Sequence, residues 1–209
     1  MLEKELTLDI ARQVAVKLSS YDAEVKLTRD DDSYLSLEAR ANFANSLNAD
    51  YFLSIHINAG GGTGFESFIY IDATDSRTAI YRSILHNQIT DFLKDYGMAD
   101  RGEKKANFAV LRETNMPSAL IENLFIDSAK DADLLKDREF INNLADSVAG
   151  GLIQSLSLVP VAPPIWDPRG EIAKLKESGY IVDDHPADAQ VTWGEFATVV
   201  NRIIAKLGK

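Results

Sequence analysis

The chain has 209 residues, 45% of them hydrophobic and 26% charged, with no cysteine and a formal net charge of −10. That length suits one medium domain with a short appendage, and the apolar fraction excludes intrinsic disorder as the main state. The excess of acidic over basic side chains, 32 against 22, argues against a nucleic-acid binder, and the lack of cysteine excludes disulfide scaffolds, thiol nucleophiles and thiolate metal sites.

The opening MLEKELTLDI lacks the basic-then-apolar order of a secretory signal, and no apolar run approaches the ~20 residues that span a bilayer. From Glu5 to Leu18 the apolar residues fall mostly at helical spacing, which predicts an amphipathic helix. EVKLT, residues 24 to 28, alternates as a short extended stretch, and the polar loop RDDDS leads to a second helix around Leu35 to Leu47. Tyr51 to Ile57 (YFLSIHI) has the short apolar character of a strand buried on both faces, and Phe65 to Ile71 reads as another strand. A long helix follows over Ser76 to Tyr96, with Ile80, Ile84, Ile89 and Leu93 along one side and Gly97 at its end. Phe108 to Leu111 and Ala119 to Ile126 are further strand candidates, and Ala129 to Leu156 contains one or two helices. Strands separated by helices predict an α/β class, a mostly parallel central sheet flanked by helices.

Residues 159–168 (VPVAPPIWDP) hold four of the six prolines, which predicts an extended linker after a domain over 1–158. Residues 169–209 then form a small helical module, with helices over Arg169 to Gly179 and Thr192 to Leu207. Thr192 and Glu195 have the spacing of a capping box.

Three histidines can be weighed singly. His56 ends an apolar strand just before the glycine-rich loop AGGGTG, where open α/β sheets carry ligands; it is a metal ligand or a hydrogen-bonded core histidine. His86, mid-helix, and His185, in the appendage loop, read as surface or capping residues. Glu122 interrupts ALIENLFI, a run otherwise suited to a buried strand. A carboxylate there must meet a cation, a polarised water or a strand end, and burial raises its pKa toward the range useful for proton transfer; a structural salt bridge is the alternative. Asp30, Asp31 and Asp32 lack the glycine of a calcium loop and read as solvated. GGGTG lacks the GK[ST] ending of a phosphate loop and reads as a mobile rim. No G-x-S-x-G elbow or H-E-x-x-H helix occurs.

Taken in order, LEKELTLDIA, LTRDDDSYLSLEARANFAN, ADYFLSIHINA, GFESFIY, RGEKKANFAVLRET and MPSALIENLFI resemble the zinc-dependent N-acetylmuramoyl-L-alanine amidases of bacterial cell walls and phage endolysins, over roughly the first three quarters of the chain. The resemblance implies a Zn²⁺ cofactor, a peptidoglycan substrate, action at the cell wall, and hydrolysis of the amide between N-acetylmuramic acid and L-alanine. It makes Glu3, in the E-K pair opening the first helix, and His56, in the S-I-H-x-N strand, zinc ligands. Glu122, in the late L-I-E strand, becomes the catalytic carboxylate. Glu66 matches a family position that orients ligands or faces substrate, and Arg101 and Arg112 lie in segments the family places near the cleft. The family's first ligand, a histidine in a G-H-G-G motif after an initial strand, has no counterpart ahead of Glu3. The alternative function is therefore a catalytically silent peptidoglycan-binding protein. The tail, with WDP, LKESGYI and VTWGEFATVVNRI, resembles short wall-attachment modules. There Trp166, Trp193 and Tyr180 lie against sugar rings or, the favoured reading for the tryptophans, fill a small core. No protein partner and no nucleic acid is expected.

Overall fold

The structure, a computed structural model, describes residues 2–161, 168–181 and 190–207. The chain divides into two compact units, Met1–Val161 and Ala162–Lys209.

The first unit opens with α1 (Glu3–Leu18), whose buried Ile10, Val14 and Leu18 recur every four residues on one face. Glu3 and Glu5 in its first turn and Lys17 in its last complement the helix dipole. The stretch 22–29 has no regular secondary structure and forms no ladder, so its alternation builds no strand of the sheet; just ahead of it Tyr21 bridges to Pro160. Helix α2 (Leu37–Ser46) is capped by the Ser36 side chain, which accepts from the Ala39 N–H. Strands β1 (Phe52–Asn58) and β2 (Phe65–Tyr70) follow, then α3 (Ser76–Lys94), β3 (Asp100–Ala106), α4 (Ala109–Arg112), β4 (Ser118–Phe125), α5 (Ala129–Lys136) and α6 (Arg138–Leu156).

The four-stranded sheet has the order β1-β4-β2-β3. β1 pairs parallel with β4, β2 parallel with β3, and β2 antiparallel with β4, so the sheet is mostly parallel. Helices cover both faces, as expected. On one, α1, α3 and α6 pack their apolar stripes against Ile57, Phe65 and Ile121 to form the main core. On the other, α2 and α4 close a smaller cluster of Ala44, Phe52, Val110, Leu111 and Leu120.

Three local expectations are corrected. Phe108 to Leu111 is not a strand: it belongs to the short helix α4, and the strand lies just ahead, in the charged DRGEKKA of β3, which reaches the sheet only by pairing with β2. β1 is not buried on both faces; it is an edge strand, and its middle residues are half-buried. Phe52 N–H donates to Pro117 O at 3.1 Å. The alternation of a parallel ladder then turns the backbone groups of Leu53, Ile55 and Ile57 toward the free edge. Along that edge, between β1, α1 and residues 22–29, lies a cavity of about 1040 Å³ lined by Leu8, Val25, Leu27, Leu53 and Ile55 among others. His86, finally, is not at the surface. It is 3% exposed on the inner side of α3, where Ser67 Oγ lies 2.8 Å from Nδ1 and Asp100 Oδ1 lies 3.0 Å from Nε2. Ser67 is fully buried, so this chain of contacts ties α3 to β2 and β3 and offers no nucleophile to a substrate.

The second unit contains α7 (Pro168–Glu177) and α8 (Trp193–Leu207). The capping box forms as the spacing predicts: Glu195 N–H donates to Thr192 Oγ1 at 3.3 Å, and Thr192 N–H to Glu195 Oε2 at 2.8 Å. Arg202 Nη1 donates to Tyr180 O at 2.9 Å, joining the two helical segments. Trp193 is 86% exposed and meets Phe196 edge-on, so it fills no core; Trp166 and His185 lie outside the described residues. Among the described residues no helix is long and apolar enough to cross a membrane.

Candidate active site

The sheet places the chemistry by register. His56 on β1 stands opposite Glu122 on β4, and Glu122 opposite Glu66 on β2. Residues in register share a face, so the three side chains form one row across three strands. The preceding row on that face, Ser54, Leu120 and Phe68, lies beneath the α2 and α4 cluster. The row of His56, Glu122 and Glu66 lies one pleat beyond, where β1 and β4 end and β2 and β3 begin.

Glu3 reaches the same place from the first turn of α1. Its Oε1 lies 3.1 Å from His56 Nδ1 and accepts from the Ile57 N–H at 3.3 Å, one of the groups turned toward the free edge. On the other side of the ring, Ser54 Oγ lies 3.0 Å from His56 Nε2 and fixes the imidazole plane. Asn123 Nδ2 donates to His56 O at 3.0 Å, just before the register shift that ends β1. The contact with His56 holds the Glu3 carboxyl below its ordinary value, against a smaller opposing effect of burial.

Glu122 is the outlier. Its Oε2 is buried and has no hydrogen-bond partner among the described residues. Burial pushes its pKa from 4.5 up to about 7; His56 opposes the rise, while the charges of Glu3 and Glu66 add to it. A carboxyl poised near 7 with a free oxygen can accept and return a proton at neutral pH. Glu66 is the opposite case. Burial alone would raise it, but Lys104 and Arg101, both on Oε2, more than offset that and hold it ionised. Asn58 Nδ2 donates to its other oxygen at 2.8 Å.

The glycine-rich loop forms the rim and is tied down. Gly60 and Gly61 N–H groups donate to Asp127 Oδ2 at 2.7 and 2.9 Å. Thr63 Oγ1 and Gly64 N–H donate to the fully buried Asp131. Gly64, at φ 98°, sits so close to Ala99 O that a side chain there would collide with backbone.

Of the sequence candidates, Glu3, His56, Glu122, Glu66 and Arg101 converge. Arg112 does not. It lies on α4, after the far end of β3, and its guanidinium is engaged by Asn107 and Glu113. Asn58, Lys104 and Asn123 join the site without having been named as site residues; Asn58 closes the S-I-H-x-N motif, which was a signal for it, whereas nothing in the local sequence sets Lys104 or Asn123 apart.

The cluster suits a cation. It offers one imidazole and a neighbouring carboxylate, with a partnerless carboxyl oxygen beside them. Zinc–ligand bonds of about 2.0–2.2 Å set two ligand atoms of one tetrahedral ion roughly 3.3 Å apart, close to the 3.1 Å between Glu3 Oε1 and His56 Nδ1. Among the described residues, however, no three His, Asp or Glu side chains close into a complete metal site.

The family model described as N-acetylmuramoyl-L-alanine amidase matches residues 1–154. The sporulation-specific N-acetylmuramoyl-L-alanine amidase of Bacillus subtilis (strain 168) is 48% identical over 158 residues, 75% of this chain and 60% of that protein. The endolysin of Bacillus phage SPP1 is 45% identical over 159 residues, 75% of this chain and 59% of that protein. The chain thus spans about three fifths of the length of these two curated relatives. The crystal structure of an N-acetylmuramoyl-L-alanine amidase from Clostridium difficile 630 superposes with a TM-score of 0.70 at 34% identity, covering 75% of this chain and 85% of that one.

Proposed function

The chain belongs to the N-acetylmuramoyl-L-alanine amidase family, and we propose that it hydrolyses the amide between N-acetylmuramic acid and L-alanine in peptidoglycan, in a zinc-dependent reaction at the cell wall. The observation that carries this reading is the register of His56 with Glu122, joined by Glu3 at 3.1 Å.

Glu3 and His56 would hold the metal, and Ser54 and Asn123 keep the imidazole and its strand in place. Zinc bound there supplies Lewis-acid chemistry, polarising a carbonyl and making water acidic near neutral pH. Glu122 Oε2 takes a proton from the water that attacks the amide carbon and returns it to the nitrogen as the C–N bond breaks, freeing the L-alanine amine. Glu66, pinned by Arg101, Lys104 and Asn58, stays ionised and keeps Glu122 basic. A catalytic zinc keeps three protein ligands. Glu3 and His56 would supply two of them, where the cavity along the free edge of β1 ends. In the helical module, residues 169–209, the exposed Trp193 supports wall attachment.

The test is digestion of purified walls with the full chain and added zinc, followed by labelling of newly freed amines. N-terminal L-alanine should appear, disappear with a chelator, and fall at least ~1000-fold in Glu122→Gln. Walls that bind the chain but release no alanine amines would overturn the hydrolytic reading and favour a silent wall-binding protein.

A further inference from the structure

Arg101 is held more firmly than a surface arginine and yet leaves most of its hydrogen-bonding capacity unused. Its Nε donates to Glu66 Oε2 at 2.8 Å, and its guanidinium carbon sits 4.8 Å from the centre of the Phe125 ring. Phe125 is itself buried and hemmed in by Gly62, where a side chain would collide with the ring. Gly102, at φ 88°, forms the bend of β3 that sets Arg101 beside Glu66. With Nε engaged and the guanidinium carbon seated over the ring, the group has little conformational freedom left to lose. Among the described residues no hydrogen bond or ion pair reaches Nη1 or Nη2, and 35% of the side chain faces solvent. An arginine fixed in this way presents its end-on pair of N–H donors as a planar fork, the geometry that matches a carboxylate.

The surrounding charges favour an anion there. Glu66 carries one negative charge against the two positive charges of Arg101 and Lys104, which leaves an excess of one on the β3 side of the cleft. β3 lies two strands from β4, so Arg101 stands about 10 Å from the strand of Glu122 at ~4.8 Å per strand. An extended peptide advances about 3.3–3.6 Å per residue, so that span corresponds to roughly three residues.

We propose that Arg101 is a specificity residue that binds, through Nη1 and Nη2, a carboxylate on the second or third residue of the peptide beyond the scissile amide. The proposal rests on the amidase reading for the orientation of the substrate. Arg101 takes no part in bond breaking. It selects peptides that carry a free acid at that place over those in which the acid is amidated.

The experiment measures binding rather than turnover. Two muramoyl-tripeptides, one with free carboxylates on its second and third residues and one with those groups amidated, are titrated calorimetrically into the full chain carrying Glu122→Gln. The free acid should bind at least about tenfold more tightly, as a charge-assisted forked contact does. Adding Arg101→Gln should bring the ratio to about one. Arg101→Lys, which keeps the charge and loses the fork, should keep only part of the preference. A ratio near one in the parent chain, a ratio unmoved by Arg101→Gln, or no measurable binding of either peptide overturns the proposal. A preserved ratio in a chain whose unmutated form frees no alanine amines would instead refute the amidase reading and leave the carboxylate site standing.

Discussion

Replacing Glu122 by Gln should make the metal-free protein more stable above neutral pH while it abolishes hydrolysis. The Glu122 carboxyl is raised from 4.5 to about 7 in the folded chain, first by burial. Below pH 4.5 the group is protonated whether folded or unfolded, and it costs nothing. Between 4.5 and 7 the folded state holds a proton that the unfolded state has released, so stability falls as pH rises; above 7 the full penalty is present. At 1.36 kcal/mol per unit the shift corresponds to ~3 kcal/mol, and solvent screening of a group only partly withdrawn from water reduces this to about 1–2 kcal/mol. Glutamine has the shape of the protonated acid and escapes the penalty. Urea denaturation of both chains, freed of metal with a chelator, should therefore show no difference at pH 4 and a gain of about 1–2 kcal/mol for Glu122→Gln at pH 8. In a domain of this size that gain is a rise of several degrees in Tm. A variant less stable than the parent at pH 8, or equally displaced at both pH values, would refute the reasoning. It would mean that a partner the structure does not show already satisfies Glu122 Oε2.

Two further outcomes test the scaffold around the site. Asp131 is fully buried and accepts from Gly64 N–H, Phe125 N–H, Thr63 Oγ1 and Ser128 Oγ. Asp131→Ala strands two backbone donors, so chemical denaturation should show a loss of about 3 kcal/mol, and a loss below ~1 kcal/mol would contradict that accounting. Along β1, the amides of Leu53 and Ile55 face the cavity while those of Ser54 and His56 face β4. Hydrogen exchange should therefore be at least ~100-fold faster for the first pair, and equal protection would show that the free edge is already paired.

The elements that the sequence made legible are those whose pattern is enforced by burial. The four-residue recurrence of Ile10, Val14 and Leu18, and the apolar run of β4 on either side of Glu122 and Asn123, follow from packing against one core. β3 escaped notice because DRGEKKA carries no apolar alternation; it is an edge strand formed by its ladder with β2, which local sequence does not record. For the same reason His86 read as a surface residue, since its partners Ser67 and Asp100 come from two other elements. Among the site residues, Glu122 was conspicuous, because a carboxylate inside a buried strand demands an explanation. Glu3 was not. Nothing in MLEKEL marks that residue, and only the resemblance to a known family singled it out; its meeting with His56 joins residues 53 positions apart.

The position of the cleft follows from how much of the sheet the helices can cover. Phe52, Leu120 and their neighbours need α2 and α4 above them to stay dry, and those two short helices reach no further than that patch. The next row must therefore tolerate water, and it is built from His56, Glu122 and Glu66 instead of aliphatic side chains. Because β2 and β3 run against β1 and β4, their first residues arrive where the other two strands end. That places the cationic pair Arg101 and Lys104 in the same opening as Glu3 and His56. The opening is polarised along the row, with a negative end suited to a cation and a positive end suited to an acidic peptide. Glu122, a carboxyl with its charge unsettled at neutral pH, lies between them.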